Sequence, residues 1–484
     1  MRTFLKSLGL LTVVVLLSSC NQKTAPPAPI GPLPNDAQLA WQQLEYYGFI
    51  HFNMNTFTNK EWGYGDEKPA QFNPTALDTR QWAQIAKQAG MKGLIITAKH
   101  HDGFCLWPSA YSEHSVKNSP WQNGEGDIIR ELAVACKEFD LKFGVYLSPW
   151  DRNHPDYGTE AYITYYRNQL TELLSNYGPI FEVWFDGANG GDGYYGGANE
   201  ERRVDKKTYY DWPNTIALVR KLQPQAMIFS DAGPDIRWVG NERGYAYDAT
   251  WSPFLREEVY AGMPNFDQYA QGTPEGTHWV PTESDVSIRP GWYYHPEQDD
   301  QVKSLADLTA IYFNSVGRNS SLLLNIPVDT RGLIHENDAV QLLQLADYLK
   351  QMYANDYAQQ AQFNVDDKQL QANNPLNDAK GNTYVAAKEA TTTLELEWNC
   401  PQQVNTLMVQ EFLPLGQRVV SFTLEGNTGT GWEALATGAT IGNKRLINFK
   451  TAAYTGLRLQ ITAALAPPVL AQLSVYAAPE IEEE

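Results

Sequence analysis

Between about residues 46 and 350, short apolar runs alternate with stretches whose apolar positions recur every three or four residues. The runs 46–53 (YYGFIHFN), 93–100 (GLIITAKH), 142–149 (KFGVYLSP), 180–186 and 226–232 (AMIFSDA) predict strands, as do 279–287 (WVPTESDVS) and 321–327 (SLLLNIP). Helical periodicity predicts helices near 78–89, 127–139, 159–176, 207–222, 301–316 and 336–354. In the first of these, Asp78 and Gln81 read as a cap, and Gly90 ends it. Alternation over this length implies parallel strands joined by helical crossovers. That is an α/β chain, either a (β/α)8-like TIM barrel or an open doubly wound sheet. The first strand-to-helix turn lacks GxGxxG, which disfavours a dinucleotide fold.

After about residue 355 the pattern changes to short alternating strands separated by turn residues: TLELEW, TLMVQEF, VVSFTLEG, RLINF, GLRLQIT and AQLSVY. They predict an all-β sandwich over 356–484, which resembles galactose-binding or discoidin-like domains. The barrel domain is then 39–355. At the other end, Arg2 and Lys6 precede an apolar run, Leu8 to Leu17, and then Leu17-Ser18-Ser19-Cys20. This reads as a lipoprotein signal peptide, 1–20, with Cys20 as the lipidated residue, followed by a flexible tether over 21–38. The apolar run is too short for a confident membrane span. The expected location is an exported bacterial lipoprotein, membrane-anchored, in the periplasm or at the cell surface.

A net charge of −19 argues against nucleic acid or anionic membrane surfaces as partners. Cys105, Cys136 and Cys400 are far apart and lack CxxC spacing, so they read as free or buried thiols.

In a barrel the chemistry sits where strands end. His51, His100, His101, Tyr146 and Asp186 all fall there. Hydrolysis of a sugar bond with retention needs two carboxyls, one to attack and one to give and take a proton. Asp186, in VWFDGANG, suits the nucleophile because a strand delivers it. Glu242 lies in the aromatic segment DIRWVGNERGY, which reads as a loop and would raise its pKa as an acid requires. Glu283 and Asp285 are its competitors. Adjacent His100 and His101 on a strand would point oppositely, which favours hydrogen-bond donation to substrate hydroxyls over a shared metal. Glu61 and Trp62, with Trp184 and Trp292, offer a hydroxyl acceptor and flat walls.

These motifs together resemble the α-L-fucosidases of glycoside hydrolase family 29. The likeness covers roughly residues 40–350. It rests on GFIHFNMNTF, NKEWGYG, ITAKHHDGFCLWPS, GVYLSPWD, VWFDGANG and NSSLLLNIPVDTRG. The last supports the fold more than the site. The resemblance implies a retaining mechanism with Asp186 as nucleophile. It implies that His51, Glu61, Trp62, His100, His101 and Tyr146 contact fucose, with Trp184 lining the pocket. FSDAGPDIRWVGNERGY resembles the branch that cleaves α-1,3 and α-1,4 fucose, in which Glu242 is the acid/base. Arg237 and Trp292 transfer as further contacts. The glycine-rich stretch 190–205 reads as an insertion that reshapes the leaving-group side.

The expected function is therefore an exo-acting retaining α-L-fucosidase that needs no cofactor and no metal, with fucosylated oligosaccharides or glycoconjugates as partners. Two rivals stand beside it. One is a metal-dependent barrel hydrolase using His51, His100 and His101. The other is a surface protein that binds fucosylated glycans without cleaving them.

Overall fold

The computed structural model describes residues 26–378 and 380–481. The expected signal peptide with its Cys20, and residues 21–25 of the expected tether, lie outside the described residues.

Eight parallel strands close into a barrel in chain order: β1 (Tyr46–His51), β2 (Gly93–Lys99), β3 (Lys142–Leu147), β4 (Glu182–Trp184), β5 (Met227–Ser230), β6 (Ile236–Trp238), β7 (Thr282–Ser287) and β8 (Ser320–Pro327). The ring closes where β8 pairs with β1, Tyr46 opposite Leu322 and His51 opposite Pro327. This is the TIM-like barrel rather than the open sheet. Helices α1 (Asp36–Gln42), α2 (Thr79–Gln88), α3 (Ile128–Glu138), α4 (Glu160–Asn176), α5 (Trp212–Leu222), α6 (Leu305–Asn314) and α7 (Glu336–Met352) flank it. The expected helix over 207–222 begins only at Trp212, because Asp211 takes a left-handed conformation (φ 47°).

The alternation breaks at two places. A turn, not a helix, joins β5 to β6, and the long connection from β6 to β7 carries a two-residue ribbon, Pro253–Phe254 with His278–Trp279, and short helical turns, Arg256–Glu258 and Asp267–Ala270, in place of a crossover helix. β6 itself falls inside the segment read from sequence as a loop. Three residues are too few to display a period of two.

Side chains alternate in and out along each strand. Tyr47, Phe49, Ile95, Tyr146, Trp184, Phe229, Ile236 and Leu323 fill the barrel interior. Their neighbours Ile50, Leu94, Val145, Val183 and Ile228 pack outward against the helices. α1 plugs the base: the Trp41 indole donates to Glu182 inside the barrel (2.8 Å). Asn35 and Gln38 form its capping box. Ahead of α1, within the stretch expected as tether, the Ile30 amide donates to the Leu415 carbonyl (3.2 Å) and Arg418 donates to the Ala28 carbonyl (2.7 Å).

The trailing domain is an antiparallel β structure built from β9 (Gln362–Val365), β10 (Thr392–Glu411), β11 (Val419–Asn427), β12 (Trp432–Ala439), β13 (Arg445–Ala464) and β14 (Val469–Tyr476). Each of the segment pairs TLELEW/TLMVQEF and RLINF/GLRLQIT is one 20-residue strand. β10 and β13 shift register between Glu397 and Gln402, where residues 398–401 interrupt the pairing. β9 flanks the first half of β10 and β14 the second. Hydrogen bonding is therefore continuous through both halves, which enclose a core of Leu394, Leu396, Leu407, Val409, Leu457, Leu459, Leu473 and Val475. The domain braces the barrel through Lys444–Glu45 (2.6 Å), Arg445–Asp248, and the Ser252 amide on Gln417 (2.9 Å). Among the described residues no helix is long and apolar enough to cross a membrane.

Candidate active site

A cavity of about 310 Å³ opens at the C-terminal ends of the barrel strands. It collects His51, Glu61, Trp62, His100, His101, Tyr146, Trp184, Asp186, Glu242, Asp285 and Trp292. Every residue expected at the site is there except Glu283 and Arg237.

Their positions follow from the inward column of each strand. On β4, Glu182 and Trp184 point inward, and Asp186 is the next position on that column, beyond the strand end. Its carboxylate is held at both oxygens: the Tyr146 hydroxyl donates to Oδ2 (2.9 Å) and the Ala188 amide to Oδ1 (2.6 Å). A Cβ on Gly187 would lie 2.0 Å from the Asp231 carboxylate, so only glycine lets these two acids flank the pocket.

On β1 the inward column ends at His51. The Asn325 amide nitrogen donates to Ser287 Oγ (2.8 Å) and to the Trp292 carbonyl (2.9 Å), so its oxygen faces His51 Nδ1 (2.7 Å) as an acceptor. His51 therefore carries its proton on Nδ1 and presents the Nε2 lone pair to the pocket. Burial pushes its pKa down to about 3, so the ring is neutral.

β2 ends at Lys99, after a register shift between Thr97 and Lys99. Lys99 turns away into a buried ion pair with Asp151 (3.0 Å). Asp102 closes the turn, accepting from the Phe104 amide (2.8 Å) and from Asn53 (2.5 Å). Strand alternation no longer applies, and both His100 and His101 face the pocket, ring centroids 4.0 Å apart. The Ser148 hydroxyl donates to the Trp150 carbonyl (2.6 Å) and so accepts from His101 Nδ1 (2.7 Å). His101 Nε2 is left with its lone pair 3.8 Å from Asp186 Oδ2. Burial lowers His101 to about 4, with Asp186 opposing, and takes His100 well below its ordinary value. The rings are neutral, and Asn325 and Ser148 fix the tautomers of His51 and His101 so that each presents an acceptor, where donation was expected of His101. Through Asn325 the LLLNI segment, expected to support the fold more than the site, also orients His51.

Glu61 and Trp292 join two loops. The Glu61 carboxylate accepts from the Trp292 amide (2.9 Å) and contacts His295 Nε2 (2.6 Å). The Trp292 indole lies beside His51 (5.2 Å) and donates to Glu242 (3.3 Å). Trp62 is an exposed wall set edge-on to His101 (5.2 Å). Trp184 floors the pocket, stacked on Phe229 (4.1 Å).

Glu242 follows β6 and stands at the rim. Loss of water around its carboxyl raises its pKa, and Asp186 and Glu61 add to the rise; the Trp292 hydrogen bond opposes it. Asp285 lies on the inward column of β7 and accepts from the Trp238 indole (2.8 Å). Burial, then Glu242 and Glu283, push it well above the usual carboxylate range.

Glu283 is one inward step deeper, below the floor. It accepts from Tyr47 and from the Trp184 indole (2.8 Å), and burial raises its pKa, with hydrogen bonding to Glu182, Tyr47 and Trp184 opposing. It is not a competitor for the acid role. Arg237 is also no substrate contact. Ile236 and Trp238 occupy the inward positions of β6, so Arg237 points outward. There its buried guanidinium donates to the carbonyls of Ala270 (3.1 Å), Trp251 (2.6 Å) and Val280. It holds the β6–β7 connection together.

Asp231 is the pocket acid that sequence reasoning missed. It ends the inward column of β5 and accepts from the Gly262 amide (2.7 Å). Burial and then nearby Asp186 push it up to about 6, with the Gly262 bond opposing. Its signal was available, since it is the last polar residue of the predicted strand AMIFSDA. Met263 and Phe266, from the β6–β7 connection, also line the cavity. The glycine-rich stretch after Asp186 contributes little beyond Gly187 and Ala188. Its hairpin, Gly191–Gly193 with Glu200–Arg202, folds aside and is clamped by Arg152 on Asp192 (2.8 Å).

The match to known proteins is extensive. The alpha-L-fucosidase family model covers residues 34–353. Alpha-L-fucosidase 1 of Arabidopsis thaliana is 43% identical over 464 residues, 93% of this chain and 88% of the plant protein. A glycoside hydrolase 29 family member from an unknown rumen bacterium superposes with a TM-score of 0.86 at 46% identity, covering 94% of this chain and 79% of that one. A Ruminococcus gnavus family 29 fucosidase solved in complex with fucose has a TM-score of 0.83 at 28% identity, covering 94% and 97%.

Proposed function

The chain belongs to the alpha-L-fucosidase family, glycoside hydrolase family 29, and on that premise we propose a retaining, exo-acting enzyme that removes α-1,3- or α-1,4-linked fucose from branched glycans. The observation that carries this reading is the meeting of Asp186 and Glu242 in one cavity, the first held at both oxygens by hydrogen-bond donors and the second with its pKa raised by its surroundings.

Asp186 attacks the anomeric carbon while Glu242 gives its proton to the glycosidic oxygen, and the carbon–oxygen bond breaks. The fucosyl ester on Asp186 is then opened by water, whose proton returns to Glu242. The His51 and His101 Nε2 lone pairs accept hydrogen bonds from sugar hydroxyls. Phe49 and Trp184 provide an apolar surface for a deoxysugar methyl. The linkage preference rests on the resemblance of residues 229–245 to the α-1,3/1,4 branch. It is tested by incubating the enzyme with blood-group-type oligosaccharides bearing α-1,2, α-1,3 or α-1,4 fucose and following released fucose by proton NMR. The α-1,3 and α-1,4 substrates should be cleaved, with α-fucose appearing first. Preferred cleavage of the α-1,2 substrate would overturn the linkage, and first-formed β-fucose would overturn retention.

Export and lipid anchoring through Cys20 belong to the same proposal and rest on the lipobox. Labelled palmitate should enter the expressed chain and not the Cys20→Ser variant. Equal labelling of both would refute the anchor.

A further inference from the structure

We propose that His100, His101 and Asp186 form a binding site for one borderline transition-metal cation, zinc or copper(II), whose occupancy closes the pocket to fucose. Each of these residues offers one ligand atom, and the three atoms lie within 4.8 Å of one another. Small rotamer adjustments bring such a set onto an ion with bonds of about 2.0–2.2 Å.

Two independent observations point to a ligand at this place. The first is the tautomer of His101. Ser148 has its hydroxyl proton on the Trp150 carbonyl, so His101 Nδ1 carries hydrogen and Nε2 does not. A nitrogen lone pair and a carboxylate oxygen then face each other at 3.8 Å with no donor between them. That arrangement calls for something positive in the gap, either a hydroxyl proton from the sugar or a metal ion. The second is His100, whose Nδ1 is buried without a hydrogen-bond partner among the described residues.

The donor set also selects the metal. Two imidazoles and one carboxylate suit zinc and copper(II), whereas magnesium and calcium prefer oxygen-only shells. Ser148 stands where an outer partner orients a metal-binding histidine. Three protein ligands leave a fourth position to water from the open pocket. The ion would occupy the carboxylate that the fucosidase reaction needs, so sugar and metal exclude each other.

The test is equilibrium dialysis of the full chain against zinc chloride alone. About one zinc per chain should be retained, displaced by free fucose and removed by EDTA; magnesium and calcium should not compete. Asp186→Ala and His101→Gln should lose this zinc, with unchanged thermal unfolding midpoints showing intact folds. Ser148→Ala should weaken it by about tenfold, the usual loss when an outer partner is removed. Cys400→Ser, which removes an exposed thiol in the β domain, should retain it. Absence of zinc on the wild type, equal retention by Asp186→Ala, or zinc that fucose fails to displace would each overturn the proposal. The measurement needs no turnover, and fucose release is assayed separately in EDTA, so failure of the metal site leaves the hydrolytic reading to its own test.

Discussion

Asp186→Ala is expected to lose at least about 10⁴-fold in kcat on every fucoside, on the scale that removal of a covalent nucleophile costs. The loss falls on aryl fucosides and glycans alike, because even a good leaving group needs something to attack. The fold should survive. Asp186 lies beyond its strand, its carboxylate is about one-quarter exposed, and its partners are a tyrosine hydroxyl and a backbone amide. The truncated side chain leaves room for a small anion. Azide should therefore restore partial turnover of an activated aryl fucoside, and the product should be β-fucosyl azide, formed by one direct displacement with inversion. Circular dichroism and thermal unfolding check the fold, and NMR of the azide adduct checks the face of attack. Substantial activity without azide would remove Asp186 from the nucleophile role.

Much of the pocket was legible because barrel geometry turns strand ends into an address. His51 and Asp186 continue inward columns whose earlier members are Tyr47, Phe49, Glu182 and Trp184. The same rule also marks Asp231, the last polar residue of AMIFSDA. Arg237, expected from the resemblance, and Glu283, expected as a competing acid, show what the rule does not decide. It says which end of a strand matters, yet a one-residue step decides whether a side chain faces the pit or the helices, and a two-residue step decides its depth. β6 was hidden because three residues carry no measurable period and no helix follows. The histidine tautomers depend on Asn325, which is 274 residues from His51, and on Ser148, 47 residues from His101. No local pattern encodes them. Met263 and Phe266 belong to a connection without periodicity, held by the outward guanidinium of Arg237. In the β domain, two pairs of strands were read where two bent ones exist, because turn residues at Asn399, Cys400 and Pro401 look the same in a bend as in a hairpin.

Glu242→Ala is expected to behave differently from the nucleophile variant, and the difference identifies its role. Cleavage of glycans should fall about 10²- to 10⁴-fold, the range for losing a general acid, since a sugar hydroxylate leaves poorly without a proton. An activated aryl fucoside expels its phenolate unaided, so its first step should be nearly spared. Hydrolysis of the ester on Asp186 then becomes slow for want of a base, and a burst of phenolate should precede a low steady rate. Azide should relieve that second step and give α-fucosyl azide, the opposite anomer from the Asp186→Ala reaction. The pH profile carries the same assignment. In the free enzyme Glu242 must be protonated, and its surroundings, with Asp186 and Glu61, raise its pKa. Wild-type kcat/KM should accordingly persist above the ordinary glutamate range and fall as pH rises through the raised value, and that alkaline limb should vanish in Glu242→Ala. Once Asp186 is esterified its negative charge is gone, one cause of the rise disappears, and Glu242 becomes the stronger acid that is readily found as a carboxylate for the second step. Equal losses on glycan and aryl substrates, with the alkaline limb intact, would move the acid role to Asp285, the neighbouring carboxyl that the Trp238 indole holds in the same cavity.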